Sequence, residues 1–375
     1  MNNQLDNNTD LTTKISLILN EKVSLKARKI ATELGIDRSE LNLFLHESKG
    51  LFIQNSETFE WSLVKPNELI INFPEVSWLD SDTFEQSLNK TGSPLDCPAN
   101  KVTFVIGAKS SIMLEAASRL LALCNQLVMI GKTVTVDFSA TKSTLHYFDR
   151  CGFCDRLDIA VNILPSRPVE SKAKTYKGNN QNLIEFGEIG PKNIDSKVVE
   201  DLQKSFISHA GKQFSALALT VISEPFNNVH DHSSSPINGF AALQKYQGNQ
   251  KHIQTVVSDS GIGIAGSLRP VLQNKYPKLE KKFSPRTIKT DILLIKEVFE
   301  KGGISQVDDD DRGLGLNRTF ELAVKYNANI SIRQENFELK IYYRNGVLKN
   351  FLQTENLVKI LGTHFCFDFF LDETI

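Results

Sequence analysis

The chain has 375 residues, a length that favours two or three domains over a single hydrophobic core. It is 41% hydrophobic and 23% charged, and 43 basic residues nearly balance 44 acidic ones, so no net charge points to nucleic acid or a membrane surface. The start lacks a basic segment followed by an apolar run, and no run of about 18 apolar residues occurs, so we expect a cytoplasmic protein without membrane contact. The sequence has five scattered cysteines, an odd number that favours reduced thiols over a disulfide framework. Two of them form a CxxC pair, but no second pair lies at the spacing of a zinc site, so we interpret the pair as buried or incidental. The five are Cys97, Cys124, Cys151, Cys154 and Cys366, and the pair is Cys151 and Cys154.

The N-terminal region predicts a small helical domain. Residues 1–10 are rich in Asn and Asp and have no apolar period, so we expect a disordered lead-in there. From residue 11 the apolar spacing predicts three helices, the second ending at Gly35 and the third starting with Asp37 as its N-cap. The alternating stretch LFIQNSETFEWSLV then predicts a β-hairpin. Three helices and a hairpin resemble a winged helix-turn-helix domain at residues 11–65.

The charges of this predicted domain bear on its partner. Residues 1–65 hold 8 basic and 9 acidic residues, and the helix that would enter the major groove carries three carboxylates against Arg38 alone. This balance favours contact with a protein or with the rest of the chain over DNA. Four nearby cations leave a DNA partner open: Lys22, Lys26, Arg28 and Lys29.

Residues 66–165 alternate strand and helix patterns. ELIINFPEV, KVTFVIGA and TVTVDF are strand candidates, and a helix with a broad apolar stripe, LEAASRLLALCNQLV, precedes the last of them. The order strand, helix, strand predicts a right-handed parallel crossover. With its closing segment STLHYFDRCGF, the stretch resembles the small α/β domain called STAS, familiar from anti-sigma antagonists and other bacterial regulators. The polar residues 166–182 then predict a linker.

The last predicted domain, residues 183–375, contains a pair of polar residues suited to metal and phosphate chemistry. Residues 196–228 predict a largely helical stretch, in which Glu224 and Asn228 stand four apart and share one face. The amide oxygen of Asn228 suits Mg²⁺, and the carboxylate of Glu224 could orient and deprotonate a water that attacks a phosphate. Pro225 lies between them, so the helix either kinks there or begins there.

Two glycine-containing turns follow this helix. The stretch IQTVVSDSGIGI predicts a strand that delivers Asp259 into a turn, where Gly261 and Gly263 let the backbone approach a ligand closely. A buried carboxylate at that position can accept the exocyclic amine of a base. Farther on, RGLGLNRTFELAV places Gly313 and Gly315 directly before a helix, whose N-terminal N–H groups can bind phosphate.

Four motifs occur in a fixed order in this domain. They are ExxxN with a trailing HxHS, DxGxGI, GxGL opening a helix, and Gly-Thr before the strand HFCFDFFL, whose alternate phenylalanines form one apolar face. In this order they resemble the GHKL superfamily, which includes the ATPase domains of gyrase, MutL, heat-shock chaperones and histidine kinases. The resemblance implies a two-layer α/β sandwich over residues 183–375, with ATP and Mg²⁺ between its helices and a mixed sheet, and a mobile lid between Gly266 and Arg312. The sequence therefore predicts a mixed α/β (α+β) fold for the whole chain.

The resemblance also implies roles for single residues. Asn228 would hold Mg²⁺, Glu224 would be the candidate catalytic base, and Asp259 would read adenine. Thr363 would support adenine through water, while the glycines would shape the nucleotide turn and meet the phosphates. The residues implied to contact the nucleotide are Asn228, Asp259, Gly261, Gly263, Arg312, Gly313, Leu314, Gly315, Leu316 and Thr363.

Three functions fit such a chain. The first is ATP hydrolysis, or an ATP-gated rearrangement, that controls the N-terminal modules or a homodimer. The second is phosphotransfer by an anti-sigma-type serine protein kinase; a sensor histidine kinase is disfavoured because His209 lies only 19 residues before Asn228. The third is a nucleotide switch without turnover, whose residues 11–65 contact DNA or protein.

Overall fold

A computed structural model describes most of the chain, and it divides into two compact units, Met1–Asn67 (unit 1) and Glu68–Ile375 (unit 2). The class is mixed α/β, as the sequence predicted. Among the helices that the structure describes, none is both long and apolar enough to cross a membrane. The described residues are 2–48, 51–64, 67–190, 196–232, 235–248, 250–301, 321–323, 325, 328–344 and 347–371.

Unit 1 consists of three helices and three short strands. In chain order these are α1 (Asn2–Lys22), β1 (Leu25–Lys26), α2 (Ala27–Leu34), α3 (Arg38–Glu47), β2 (Phe52–Gln54) and β3 (Glu60–Leu63). The strands form an antiparallel sheet in the order β1-β3-β2, so the predicted three helices and hairpin are confirmed. Helix α1 begins at Asn2, whereas the sequence predicted order only from residue 11. The backbone hydrogen bonds of a helix form within the helix itself. A helix can therefore extend beyond the residues whose apolar spacing marks its packed face.

Two predicted helix ends in unit 1 are confirmed by their cap geometry. Gly35 ends α2 in the left-handed conformation, with φ 68°, which a residue with a side chain rarely adopts. The Asp37 carboxylate accepts hydrogen bonds from the N–H groups of Ser39 (2.7 Å) and Glu40 (3.1 Å) at the start of α3. Helices and sheet enclose one apolar core, whose buried members are Ile15, Leu19, Leu25, Ala27, Ile30, Ala31, Leu41, Leu45, Phe52 and Trp61.

The first part of unit 2 is built around a parallel sheet. Its elements are β4 (Glu68–Asn72), β5 (Trp78–Leu79), α4 (Ser81–Thr91), β6 (Lys101–Val105), β7 (Ser111–Ile112), α5 (Leu114–Met129), β8 (Thr133–Asp137), α6 (Lys142–Arg150), α7 (Phe153–Arg156), β9 (Asn162–Leu164) and α8 (Lys172–Thr175). Four of the strands pair parallel in the order β4-β6-β8-β9. The predicted strands, the helix between them and their parallel pairing are confirmed.

The second part of unit 2 is a large antiparallel sheet with helices. Its elements are β10 (Leu183–Ile189), α9 (Ser196–Ala210), a 3₁₀ turn (Lys212–Phe214), α10 (Ser215–His232), β11 (Gly239–Tyr246), β12 (His252–Ser258), α11 (Gly263–Lys275), α12 (Pro277–Lys282), α13 (Ile288–Lys301), β13 (Asn329–Arg333), β14 (Glu338–Arg344), β15 (Val347–Thr354) and β16 (His364–Phe370). Seven strands pair in the order β10-β11-β12-β16-β13-β14-β15. Every described pair is antiparallel, whereas the GHKL resemblance implied a mixed sheet. Several neighbours are joined by short hairpin loops, which permit only antiparallel pairing.

Both faces of the seven-stranded sheet are covered. On β16, Phe365, Phe367 and Phe369 point to one face and share an apolar cluster with residues of α9 and α10, as the alternating pattern predicted. Cys366 points to the other face and belongs to a second cluster with residues of α5. The two-layer sandwich predicted for residues 183–375 therefore carries a further layer, which comes from the preceding part of the chain.

Helix α5 forms this further layer and is the central element of unit 2. It contacts β8 of the parallel sheet as well as β11, β12 and β16 of the antiparallel sheet. Every residue from Leu114 to Leu127 is buried. A helix enclosed on all sides must satisfy its polar side chains within the protein, and α5 carries several of them.

Arg119 of α5 is the centre of a buried ionic network. Its guanidinium is fully buried and donates hydrogen bonds to Glu85 (2.8 Å), Glu115 (2.6 Å) and Glu338. A second fully buried cation, Arg333, donates to both oxygens of Glu85, at 3.1 and 3.2 Å. Burial by itself would raise the pKa of the Glu338 carboxyl, but the adjacent Arg119 charge outweighs that effect and holds it at about 2. These bonds join α4 and α5 to β13 and β14, more than 200 residues later in the chain.

The CxxC cysteines lie inside the fold. Cys151 and Cys154 are both buried, and both carry free thiols. Burial raises the pKa of Cys151 far above its usual value and that of Cys154 to about 12. Both side chains are therefore protonated thiols at neutral pH, a state unsuited to nucleophilic chemistry.

Candidate functional site

Helix α10 carries the predicted Glu224 and Asn228. The largely helical stretch predicted for residues 196–228 is confirmed by α9 and α10. Helix α10 runs through Pro225 from Ser215 to His232. Pro225 is therefore an internal residue of the helix and does not start it. Glu224 is half-buried, at the edge of the stripe by which α10 packs on the sheet. The side chain of Asn228 lies outside the described part of the structure.

The last turns of α10 lie beside the end of strand β12. Gly239, the first residue of β11, lies between this part of α10 and the end of β12. A Cβ on Gly239 would lie 2.5 Å from Val229 Cγ1 of α10 and 2.8 Å from the Ser258 carbonyl oxygen of β12. Only glycine allows so close an approach. Position 228 directly precedes Val229, and Asp259 directly follows Ser258. The fold thus brings the backbones of the two predicted positions to one corner of the sheet.

Asp259 sits in a buried turn at this corner. Its residue surface is 7% exposed, and its carboxylate accepts hydrogen bonds from the backbone N–H groups of Gly261 (2.6 Å) and Thr363 (3.3 Å). Its own N–H donates to the Thr363 carbonyl oxygen at 2.9 Å. Burial raises the pKa of Asp259 to about 6, although the bonds from Gly261 and Thr363 act in the opposite direction. At neutral pH the group is an acceptor-only carboxylate with lone pairs beyond those that the backbone uses.

Gly362 makes the contact between the two turns possible. It adopts φ +93°, and a Cβ there would lie 2.1 Å from the Asp259 carbonyl oxygen. Thr363 can reach Asp259 because Gly362 has no side chain. The structure therefore brings together two predicted site residues that are 104 positions apart in sequence.

Two buried glutamines complete this turn, and the sequence interpretation missed both. Gln334 Oε1 accepts a hydrogen bond from the N–H of Ile264 (2.9 Å), while its Nε2 donates to Thr363 Oγ1 (3.1 Å). Gln126 of α5 donates to Ser260 Oγ at 2.8 Å and accepts from the Leu361 N–H at 2.9 Å. A glutamine within the apolar helix pattern of α5 was a usable signal, because a buried amide needs partners. No local pattern marks Gln334, whose partners are 70 and 29 residues away.

Gly263 lies directly against Gln334. It has φ +71°, and a Cβ there would lie 2.8 Å from Gln334 Oε1. A side chain at this position would collide with Gln334, so the structure requires glycine here for packing within the protein, and the predicted approach to a ligand stays a prediction. Gly263 also begins α11, so the turn leads directly into the region predicted as a lid.

The lid region is helical as far as the structure describes it. Helices α11, α12 and α13 share a small apolar cluster that includes Leu272, Phe283 and Leu294. The Arg269 guanidinium of α11 holds α13 by donating to Asp291 Oδ1 at 2.6 Å. These helices form a local substructure with its own core, next to the Asp259 turn.

The predicted phosphate loop lies outside the described residues. This applies to Arg312, Gly313, Leu314, Gly315 and Leu316, as well as to the side chain of Asn228. Among the residues that the structure does describe, no group of three His, Cys, Asp or Glu side chains could hold a metal ion. The structure therefore describes the part of the candidate site that the resemblance assigned to the base, and the predicted phosphate loop stays outside it.

Comparisons with known proteins add no assignment. No protein-family model matches the chain, and neither a curated protein nor a solved structure does. Function must accordingly be inferred from the chemistry of the chain itself. At the Asp259 turn that chemistry is a recessed carboxylate beside the Thr363 hydroxyl, and the carboxylate can accept a hydrogen bond from a nitrogen heterocycle. The Gln126 and Gln334 amides use their N–H groups within the protein and hold the turn in place.

Proposed function

We propose that residues 183–375 bind Mg-ATP and hydrolyse it, and that the chain is a cytoplasmic regulator in which ATP binding controls the N-terminal modules or dimerisation. The observation that carries the proposal is the direct pairing of Asp259 with Thr363. Sequence motifs assigned these two residues to one adenine pocket, and hydrogen bonds of 2.9 and 3.3 Å join them. Adenine would donate its exocyclic amine to the Asp259 carboxylate, while Thr363 and Gln334 would fix the carboxylate and any bridging water.

The proposal extends to the architecture. We infer that the seven-stranded sheet with α9 and α10 is a GHKL-type sandwich, that the parallel sheet with α5 is STAS-like, and that unit 1 is winged-helix-like. The order of elements in each part supports these relationships. In this arrangement α10 lies beside the end of β12, so Glu224 and Asn228 would face the phosphates of a nucleotide whose base reaches Asp259.

The catalytic part of the proposal is tested by three single substitutions in α10. Glu224→Ala should lower the rate of phosphate release from Mg-ATP by roughly 10²–10⁴-fold while ATP still binds, because it removes the general base. Asn228→Ala should abolish Mg-dependent ATP binding, because it removes the metal ligand. Asn227→Ala is the matched control: this neighbouring side chain is exposed, and its removal should change neither property. Steady-state phosphate release and calorimetric titration measure the two quantities.

The other two functions would give different results. Tight ATP binding without phosphate release by the wild-type chain would exclude hydrolysis and favour the nucleotide switch. Transfer of label from γ-labelled ATP to a protein would favour the anti-sigma-type serine kinase. Unchanged Mg-dependent affinity in Asn228→Ala would refute the metal site itself.

For unit 1 we propose a protein partner. Leu43 on α3, Ile53 on β2 and Phe59 in the hairpin turn are apolar side chains that are more than half exposed. Helix α3 also carries two glutamates against a single arginine. Exposed apolar side chains together with an acidic helix are suited to a protein surface and unsuited to a phosphate backbone.

A binding measurement with DNA tests this assignment. We expect the full chain to bind random duplex DNA no more tightly than about 10⁻⁴ M at physiological salt, the weak limit of non-specific binding. Fluorescence anisotropy of a labelled duplex measures the affinity and its salt dependence. Tighter binding that weakens with salt, and that is lost on replacing Lys26, Arg28 and Lys29 by alanine, would make unit 1 a DNA-binding domain instead.

A further inference from the structure

A cleft opens at the far end of strand β12, and none of its described lining residues belongs to the proposed nucleotide site. It has a volume of about 780 Å³. Tyr246, His252 and Phe370 stand side by side on β11, β12 and β16, because these residues are paired in register. Their rings are in contact, with centroids 4.8 Å apart for Tyr246 and His252 and 5.5 Å apart for His252 and Phe370. Trp78 completes the row, edge-on to Tyr246 at 5.7 Å.

The cleft is separate from the Asp259 turn. His252 is the first residue of β12, and Asp259 directly follows its last. At a rise of roughly 3.3 Å per residue, the seven steps between them span roughly 23 Å. A molecule of nucleoside size cannot contact both places, so a ligand in the cleft would occupy a site of its own.

The walls of the cleft are rich in amides and carry little charge. Five carboxamide side chains line it, and the described part of the wall contains no carboxylate. Burial lowers the pKa of His252 and raises the pKa of Tyr246, so both rings are uncharged at neutral pH. Lys245 is the one lysine or arginine among the described lining residues, and its Nζ lies 3.3 Å from His209 Nδ1. The amides are those of Asn180, Asn182, Gln244, Gln247 and Gln250.

We propose that this cleft binds a planar nitrogen heterocycle of nucleoside size. Its volume lies within the range of roughly 300–1,000 Å³ that is usual for small-molecule sites. Trp78 is 54% exposed, so a large part of its indole ring is available for contact with a planar ligand. Each carboxamide offers a donor and an acceptor in one plane, which matches the edge of a base.

Other ligand classes fit these walls less well. An organic cation could use the aromatic rings, but the described wall supplies no carboxylate to balance its charge. A sugar could pack its C–H groups on Trp78, but it has neither a flat π face to stack on the indole ring nor a planar edge that matches the in-plane donor and acceptor of a carboxamide. A dianion would face a single lysine. The neutral heterocycle is the class that satisfies both the rings and the amides.

The test uses the full chain carrying Asp259→Asn, so that a nucleoside cannot be held by the Asp259 carboxylate. Adenosine, guanosine, cytidine and uridine are titrated by calorimetry and by tryptophan emission, with glucose and choline as representatives of the other classes. At least one nucleoside should bind and quench Trp78. Trp78→Ala should weaken that binding at least roughly 10-fold, because stacking on one ring contributes about that much.

Two further variants make the result specific to the cleft. Ser143→Trp places a bulky ring on an exposed wall position and should block binding without disturbing the core. Ile159→Ala removes a side chain that is 84% exposed and is not part of the wall, and it should leave binding unchanged. Circular dichroism confirms that each variant is folded.

The outcomes separate this proposal from the ATP site. Nucleoside binding that is lost in Trp78→Ala and Ser143→Trp supports the cleft, even if the wild-type chain binds no ATP. Failure of all four nucleosides at millimolar concentration overturns the proposal, as does equal binding by the Trp78→Ala protein or tighter binding of glucose or choline. ATP binding by the wild-type chain combined with such a failure would leave the proposed function intact.

Discussion

Replacing Arg119 by methionine is expected to lower the free energy of unfolding of unit 2 by about 3–5 kcal/mol. The substitution keeps most of the side-chain volume but leaves Glu85, Glu115 and Glu338 buried together without the cation that each of them contacts. An uncompensated buried charge costs far more than the loss of one exposed ion pair. Urea denaturation followed by far-UV circular dichroism measures the change.

A surface ion pair provides the matched control. Lys204 and Glu200 form a pair one helical turn apart on α9, with 73% and 59% of their side chains exposed. Lys204→Met removes the same charge and should change the free energy of unfolding by no more than about 0.5 kcal/mol. Adding Glu338→Gln to Arg119→Met should recover part of the loss, because it removes one of the buried carboxylates that lose their contact with Arg119. If Arg119→Met were no more destabilising than Lys204→Met, the network would not hold unit 2 together.

Asp259→Asn is expected to weaken ATP binding by roughly 10–150-fold, the equivalent of a hydrogen bond to a charged acceptor worth about 1.5–3 kcal/mol. The amide oxygen can still accept the N–H of Gly261, but the new NH₂ group would face the adenine amine as a second donor. Calorimetric titration with a non-hydrolysable ATP analogue and Mg²⁺ measures the affinity.

The pH dependence of this effect has a definite sign. Since burial raises the pKa of Asp259 to about 6, the carboxylate that accepts the adenine amine is present above that pH, and affinity should fall as pH drops below it. The effect of Asp259 on the stability of the folded state has the opposite pH dependence. A raised acid pKa stabilises the folded state fully below about pH 4, and that contribution is lost as pH rises through about 6. Relative to the wild type, Asp259→Asn should therefore gain about 3 kcal/mol of stability between pH 4 and pH 7.

A second, half-buried aspartate tests whether the loss of ATP affinity is specific to the Asp259 turn. Asp368 lies on β16 of the same sheet, and burial raises its pKa to about 7. Asp368→Asn should show a similar pH-dependent gain in stability but no change in ATP affinity, because Asp368 has no part in the Asp259 turn. Equal loss of ATP affinity in both variants would mean that the sheet as a whole is perturbed, and Asp259 would no longer be the adenine reader.

Much of the fold could be predicted because its signals are local. An apolar residue every three or four positions, a glycine after a helix and an aspartate before one act within a few turns of backbone, and α2, α3 and α5 follow them. Alternation with period two predicted β16 and the face that Phe365, Phe367 and Phe369 bury. The parallel pairing of β6 with β8 followed from the helix between them.

For the candidate site, the sequence by itself determined which residues share a helix face and which stand in turns. Glu224 and Asn228 follow from helical spacing, and Asp259 and Thr363 from strands that end in glycine turns. Whether those turns meet is a property of strand order, which places β16 directly beside β12. Hydrogen bonds across 104 residues cannot be inferred from spacing, because they depend on how the sheet is assembled.

Only the tertiary structure decided how the parts of unit 2 are joined. The sequence marked residues 166–182 as a polar linker between two domains, yet α5 packs against both sheets and Arg119 meets Glu338 across 219 residues. The row of rings at Tyr246, His252 and Phe370 likewise exists only because three strands pair in one register. Periodicity reports which face of an element is apolar, whereas the surface that covers that face, and the charges and amides enclosed with it, are set by packing between segments far apart in the chain.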